Sequence, residues 1–161
     1  MVKDSQAFAR TLPLPDVAAT RALGARIAAG LEAGDLVALE GELGAGKTAL
    51  ARAILRALGV SEEVPSPTFT LVQVYETPRL TVRHYDLYRL EAAGEIAELG
   101  LDEALEDGAA LVEWPGRAEG RLPGALLHVT LRAADTDSRT ALIIGPAKWS
   151  RVFEDTLTHA G

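Results

Sequence analysis

Eight consecutive residues carry the clearest chemistry in this chain: Gly41, Glu42, Leu43, Gly44, Ala45, Gly46, Lys47 and Thr48. They fit the spacing G-x-x-x-x-G-K-[ST], in which the glycines let the backbone turn tightly and bring its N–H groups to phosphate oxygens without obstruction by side chains. Lys47 supplies a mobile cation for β- and γ-phosphates, and Thr48 offers a hydroxyl to a magnesium ion. A helix starting at this point adds unpaired N–H donors and the positive end of its dipole. The chemistry is phosphate and magnesium binding; base and reaction must be specified elsewhere.

Two acids stand where strands should end. Asp86 follows the β-rich run Leu80 to Tyr85, and Glu113 follows the apolar run Ala109 to Val112. Either carboxylate can hold magnesium or orient an attacking water, and either can equally be an exposed strand-end acid. Ser66, Pro67 and Thr68 form a rigid loop with two hydroxyls, able to close on a γ-phosphate or to serve only as a hydrogen-bonded turn. His84 is placed to bond Asp86 or a partner, although a histidine without a paired metal ligand is more often structural. His128 and His159 have no supporting constellation and are read as incidental.

The elements that must position these groups follow from pattern. Leu12 to Pro15 read as extended, and Asp16 is an N-cap for a helix through about Leu31, whose apolar face is Val17, Thr20, Leu23, Ile27 and Leu31. Leu36 to Leu39 form a buried strand running into the cradle, and a second helix runs from Gly46–Thr48 to a stop at Gly59. Residues 64–70 are a loop, since prolines bracket Ser66. Thr70 to Tyr75 and Leu80 to Tyr85 make an antiparallel hairpin around Thr77 and Pro78. Glu91 to Asp107 predicts two short helices broken at Gly94 and Gly100, with a solvated acidic face. A strand at Ala109 to Val112, an Arg/Gly loop, strands at Leu126 to Leu131 and Thr140 to Ile144, and a terminal helix from about Ala147 to His159 complete the chain.

Length and charge narrow the classes. With 161 residues, 48% of them hydrophobic, the chain predicts one domain spanning 1–161. A net charge of −7 and the lack of a long basic run disfavour unaided tight binding to nucleic acid. The absence of cysteine excludes thiol catalysis and disulfides and fits a reducing compartment. Met1 to Ala9 lack a secretory pattern and no segment is long enough to span a bilayer, so the expectation is a cytoplasmic protein with no membrane partner.

Several segments in this order resemble the TsaE family, the ATPase subunit of bacterial tRNA threonylcarbamoyladenosine synthesis. They are Leu12 to Asp16, the cradle Gly41 to Thr48, Ser66 to Val72, His84 to Leu90, and Glu113, Trp114, Pro115. The resemblance implies an α/β P-loop fold with a mixed β-sheet flanked by helices, ATP with Mg2+, and weak hydrolysis by the isolated subunit. It implies TsaB and TsaD as partners, with tRNA reached indirectly through that complex. Carried over by position, Thr48 and Glu113 form the metal side, Lys47 is the phosphate lysine, and Asp86 is needed for hydrolysis. Ser66 and Thr68 belong to a switch-like loop, Trp114 lies at the site's edge, Leu14 to Asp16 lie near the base, and Arg139 resembles a late arginine that approaches the nucleotide. Gly116 after Trp114-Pro115, and Ala51, Arg52, Ala53 after the cradle, depart from the family's usual residues.

Two other classes remain open on sequence. A nucleotide-dependent interaction module would need binding and no hydrolysis. A small P-loop kinase would need arginines over the transferred phosphoryl group, and no Arg-rich lid is evident. Tyr85, Tyr88 and Arg89 are candidates for a partner surface.

Overall fold

The apolar run Leu36 to Leu39 has no face it can show to water, so it is stable only at the centre of a covered sheet. The computed structural model, which describes residues 8–42, 44–65, 67, 71–123, 125–134 and 138–153, places it there. The sheet has seven strands in the order β1 (Phe8–Leu14), β7 (Arg139–Gly145), β6 (Ala125–Ala133), β2 (Asp35–Glu40), β5 (Gly108–Glu113), β4 (Thr81–Asp86), β3 (Val72–Glu76). The inner strands β6, β2, β5 and β4 are mutually parallel, while β1, β7 and β3 are added antiparallel, so the sheet is mixed as the resemblance implied.

Alternation along the strands divides the core. Val37, Leu39, Ala109, Leu111 and Val82 face α1 (Val17–Gly30) and α2 (Lys47–Ala57), whereas Leu36, Ala38, Ala110, Val112 and Tyr85 face the opposite layer. That layer is built from a 3-10 helix at Ala93–Leu99, α3 (Leu101–Asp107) and a 3-10 turn at Pro115–Ala118. Gly94 was expected to break a helix but lies within the 3-10 segment; only Gly100, at φ +71°, separates the two helices. Tyr85 is likewise corrected: it is fully buried in this second layer and cannot face a partner.

Asp16 caps α1 as expected, its Oδ1 accepting from the Ala19 N–H at 2.9 Å. Val17 does not belong to the helix's apolar face, being 65% exposed at the first turn. Gly24 permits a close crossing of α1 and α2: a Cβ there would lie 2.5 Å from Ala53 Cβ and 2.9 Å from the Ala53 carbonyl carbon. Gly24→Ala is therefore expected to destabilise the protein by about 1–3 kcal/mol despite alanine's better helix propensity. Urea unfolding at constant m-value measures it; an unchanged or raised midpoint would show that the helices can separate freely.

Residues 148–153 are helical and close the chain onto the first core layer, where Phe153 stacks on Phe8 at 5.2 Å and Trp149 is fully buried. The part of the expected terminal helix beyond residue 153 lies outside the described residues. Among the described residues, no helix is long and apolar enough to cross a membrane.

Candidate functional site

β2 delivers the chain to Gly41 and α2 receives it at Lys47, so the cradle is the connection between a central strand and the helix that covers it. Gly46 is the residue before the helix and has φ +107°, a left-handed conformation that costs a side chain energy. At Gly41 a Cβ would sit 2.6 Å from the Leu131 carbonyl oxygen. Around Gly44 it would meet nothing within 4 Å, so the cradle is tight against the sheet and open on its outer side. Leu43 lies outside the described residues.

Arg139, which the resemblance carries over as an arginine approaching the nucleotide, lies on β7 and contacts the cradle backbone itself. Its Nε donates to Ala45 O at 3.0 Å and an Nη donates to Gly44 O at 3.0 Å. The guanidinium grips two carbonyls of the cradle backbone, a fixed fork matched to two acceptors.

Lys47 is 5% exposed and donates from Nζ to the carbonyls of Gly41 and Glu42. Its Nζ also lies 4.0 Å from the ring centroid of Trp114, a cation over a π face. Trp114 can reach it because its own backbone is left-handed, at φ 60° and ψ 51°. Burial pulls the Lys47 pKa below its ordinary value of 10.5, opposed by the nearby carboxylates of Glu113, Asp86 and Glu40. Between the lowered value and 10.5 the unfolded chain binds more protons at this residue than the folded one, so stability of the ligand-free protein rises with pH across that window. Lys47→Met is expected to lack this component; identical pH slopes of the unfolding free energy in both proteins would contradict it.

The two strand-end acids are not exposed. Asp86 is 3% and Glu113 2% exposed, because residues 82, 84 and 86 of β4 and 109, 111 and 113 of β5 share the face covered by α2. Asp86 and Glu113 are paired in register on adjacent parallel strands. The Thr48 hydroxyl, in the first turn of α2, faces both Glu113 oxygens, at 2.9 and 3.0 Å from Oε1 and Oε2. His84, fully buried, places Nε2 2.7 Å from Glu113 Oε2. It bonds Glu113, where the sequence suggested Asp86. Asp86 Oδ1 accepts from the Tyr88 N–H at 3.0 Å.

Ser66 and Thr68 lie outside the described residues, but both ends of their loop are tied to the site. Arg52 Nε donates to Val64 O at 2.6 Å on the entry side, and the Asp86 N–H donates to Leu71 O at 3.0 Å on the exit side. Leu71 itself has φ 70°. Arg52, whose role the sequence left open, thus joins α2 to this loop.

Two clefts flank the cradle. One, of about 670 Å³, is lined by Leu14, Asp16, Val17, Ala45, Gly46 and Arg139 among others, which places Leu14 and Asp16 beside the helix start. The other, of about 920 Å³, is lined by Glu42, Gly44, Tyr88, Trp114, Arg117 and Arg132 among others. Tyr88 packs on Trp114 at 4.9 Å between ring centroids, and the Arg117 guanidinium lies 5.5 Å over Tyr88. His128, read as incidental, sits 2.8 Å from Glu40 Oε1 at the end of β2.

Sequence reasoning missed the His84–Glu113 contact and the Arg139 grip. The first was discoverable in part, since two-residue alternation puts His84 on the face of Asp86. The second depends on β7 returning beside β1 and β6, which no local pattern announces.

The model of the family described as Threonylcarbamoyl adenosine biosynthesis protein TsaE matches residues 14–141. The tRNA threonylcarbamoyladenosine biosynthesis protein TsaE of Rickettsia felis is 41% identical over 136 residues, 84% of this chain and 80% of its own. The Bacillus subtilis protein of the same name is 40% identical over 121 residues, 74% of this chain and 75% of its own. The crystal structure of Bacillus subtilis YdiB matches with a TM-score of 0.78 at 29% identity, over 96% of this chain and 97% of that one.

Proposed function

We propose that this chain, which belongs to the TsaE family, is a magnesium-dependent ATPase subunit serving threonylcarbamoyladenosine modification of tRNA with TsaB and TsaD. The observation that carries the reading is the Thr48 hydroxyl facing both Glu113 oxygens directly beneath the open cradle. Family membership supports the biosynthetic role, and the proposed setting is the cytoplasm, with one domain acting inside a larger complex.

The donor set suits magnesium. Magnesium is ordinarily held by one or two protein oxygens together with phosphates and water, and the Thr48 hydroxyl and Glu113 carboxylate offer such oxygens side by side. Thr48 and Glu113 would hold it, and when bound it would supply positive charge to the phosphates. Lys47 would move from the Gly41 and Glu42 carbonyls to phosphate oxygens, exchanging backbone acceptors for charged ones. The cradle N–H groups would hold the phosphate chain, with Arg139 fixing the backbone that presents them. Asp86, tied at one oxygen to the Tyr88 N–H, would orient water or accept its proton in hydrolysis. Ser66 and Thr68 are proposed to meet the nucleotide from the loop that Arg52 and Asp86 anchor.

The test is turnover of threonylcarbamoyladenosine on tRNA by a mixture of this chain with TsaB and TsaD, with and without ATP. Multiple turnovers that need both this chain and ATP are expected; turnover indifferent to this chain would remove the role. Asp86→Asn is expected to lower phosphate release about 100- to 10,000-fold with ATP binding retained. If that variant supports undiminished tRNA modification, binding alone is the function and the chain is a nucleotide-dependent interaction module. Label passing from ATP to a small acceptor without free phosphate would instead favour a kinase.

A further inference from the structure

Among the described residues of the site, His84 is buried and holds neither phosphate nor metal in the proposed reading. It is fully buried on β4, and its Nε2 lies 2.7 Å from Glu113 Oε2, while Nδ1 is buried with no hydrogen-bond partner among the described residues. The register explains the contact: His84 pairs with Leu111 and Asp86 with Glu113, so the ring on one strand reaches the carboxylate at the end of the next.

The geometry decides the tautomer. A hydrogen on Nδ1 would be a buried donor without an acceptor, and Nε2 would then point a lone pair at a carboxylate oxygen. A hydrogen on Nε2 removes both penalties by donating to Oε2. Thr48 approaches the same carboxylate from α2 and spans both oxygens. One hydrogen-bond donor from the strand layer and one from the helix layer therefore fix the plane of a carboxylate that is 2% exposed.

We infer that His84 is a positioning residue, whose Nε2–H holds the Glu113 carboxylate facing Thr48 so that the pair is assembled before magnesium arrives. The inference rests on the metal side being Thr48 and Glu113. A ligand carboxylate or imidazole that loses its outer hydrogen-bond partner typically loses about 10- to 100-fold in metal affinity. The effect is expected on the magnesium response, because among the described residues His84 bonds Glu113 and makes no hydrogen bond to the cradle backbone or Lys47.

The experiment measures binding of a non-hydrolysable ATP analogue by calorimetry over a magnesium series and in EDTA. His84→Leu, which removes the donor at similar volume, is expected to raise the magnesium concentration for half-maximal tightening about 10- to 100-fold, with affinity in EDTA unchanged. His84→Gln, which can return an N–H to the Nε2 position, is expected to restore most of the magnesium response. Wild-type magnesium dependence in His84→Leu overturns the inference, as does equal impairment in both variants. Nitrogen-15 NMR of histidine in the unliganded wild-type protein gives a reading that needs no variant to fold. A hydrogen on Nε2 is expected, and an Nδ1–H tautomer alone overturns the inference. Thr48→Ala and Glu113→Gln, run alongside, separate the two levels: if neither alters the magnesium response, the metal assignment itself fails, whereas a response to those two and none to His84→Leu removes only the role of the histidine.

Discussion

Glu113→Gln is expected to leave a folded protein that binds ATP but no longer responds to magnesium, with hydrolysis lowered about 100-fold or more, since a bound divalent ion supplies several kcal/mol to phosphoryl transfer. The separation of effects comes from the shape of the site. Glutamine keeps a carbonyl oxygen that can accept from His84 or Thr48, so the buried donors at 2.7 and 2.9 Å need not both be orphaned. What it removes is the charge. Glu113→Ala is expected to be harsher, because each buried donor left without an acceptor costs about 1–3 kcal/mol. The comparison is made by thermal unfolding, by calorimetry with and without magnesium, and by phosphate release. A glutamine variant with normal magnesium dependence would move the metal side away from Glu113, leaving Asp86 as the neighbouring carboxylate to examine.

The second large effect belongs to Lys47. Lys47→Ala is expected to weaken ATP binding about 10- to 100-fold or more, since hydrogen bonds to charged groups are each worth about 1.5–3 kcal/mol and on the proposed reading this ammonium would serve the phosphates. In the free protein the same ammonium rests on two backbone carbonyls and the Trp114 ring, partly stripped of water. Its replacement for phosphate contacts therefore carries no fresh desolvation of comparable size, which favours binding. ADP, which lacks the γ-phosphate, should lose less affinity than ATP in the variant. Equal affinity of wild type and Lys47→Ala for ATP in calorimetry would detach the lysine from the phosphates and with it the reading of the cradle.

Elements announced by a strong local pattern were legible. The run Leu36 to Leu39, the hairpin around Thr77 and Pro78, the Asp16 cap and the helix leaving the cradle all stand where residue pattern put them. Local pattern failed where neighbours decide. Val17 matches a helical apolar period but sits on the first turn, beside the cleft at the cradle, and stays exposed. Gly94 carries the breaker residue yet continues a 3-10 helix, because the second core layer holds Ile96 and Leu101 in place around it. Tyr85 reads as a candidate surface aromatic within a tyrosine-rich block, and strand alternation turns it inward.

The site divides along the same line. The sequence by itself located the segment expected to cradle phosphate, because that pattern is contained in eight consecutive residues whose glycines and lysine would act through local backbone geometry. It also singled out Asp86 and Glu113, but as acids at strand ends that were as readily exposed as functional. Only the tertiary structure decided that they are buried neighbours beneath α2, that Thr48 and His84 meet on one carboxylate, and that Arg139 grips the cradle from a distant strand. Parallel strands pair across long stretches of chain, so which side chains converge at their ends is fixed by register and crossover, and neither is written in any short segment.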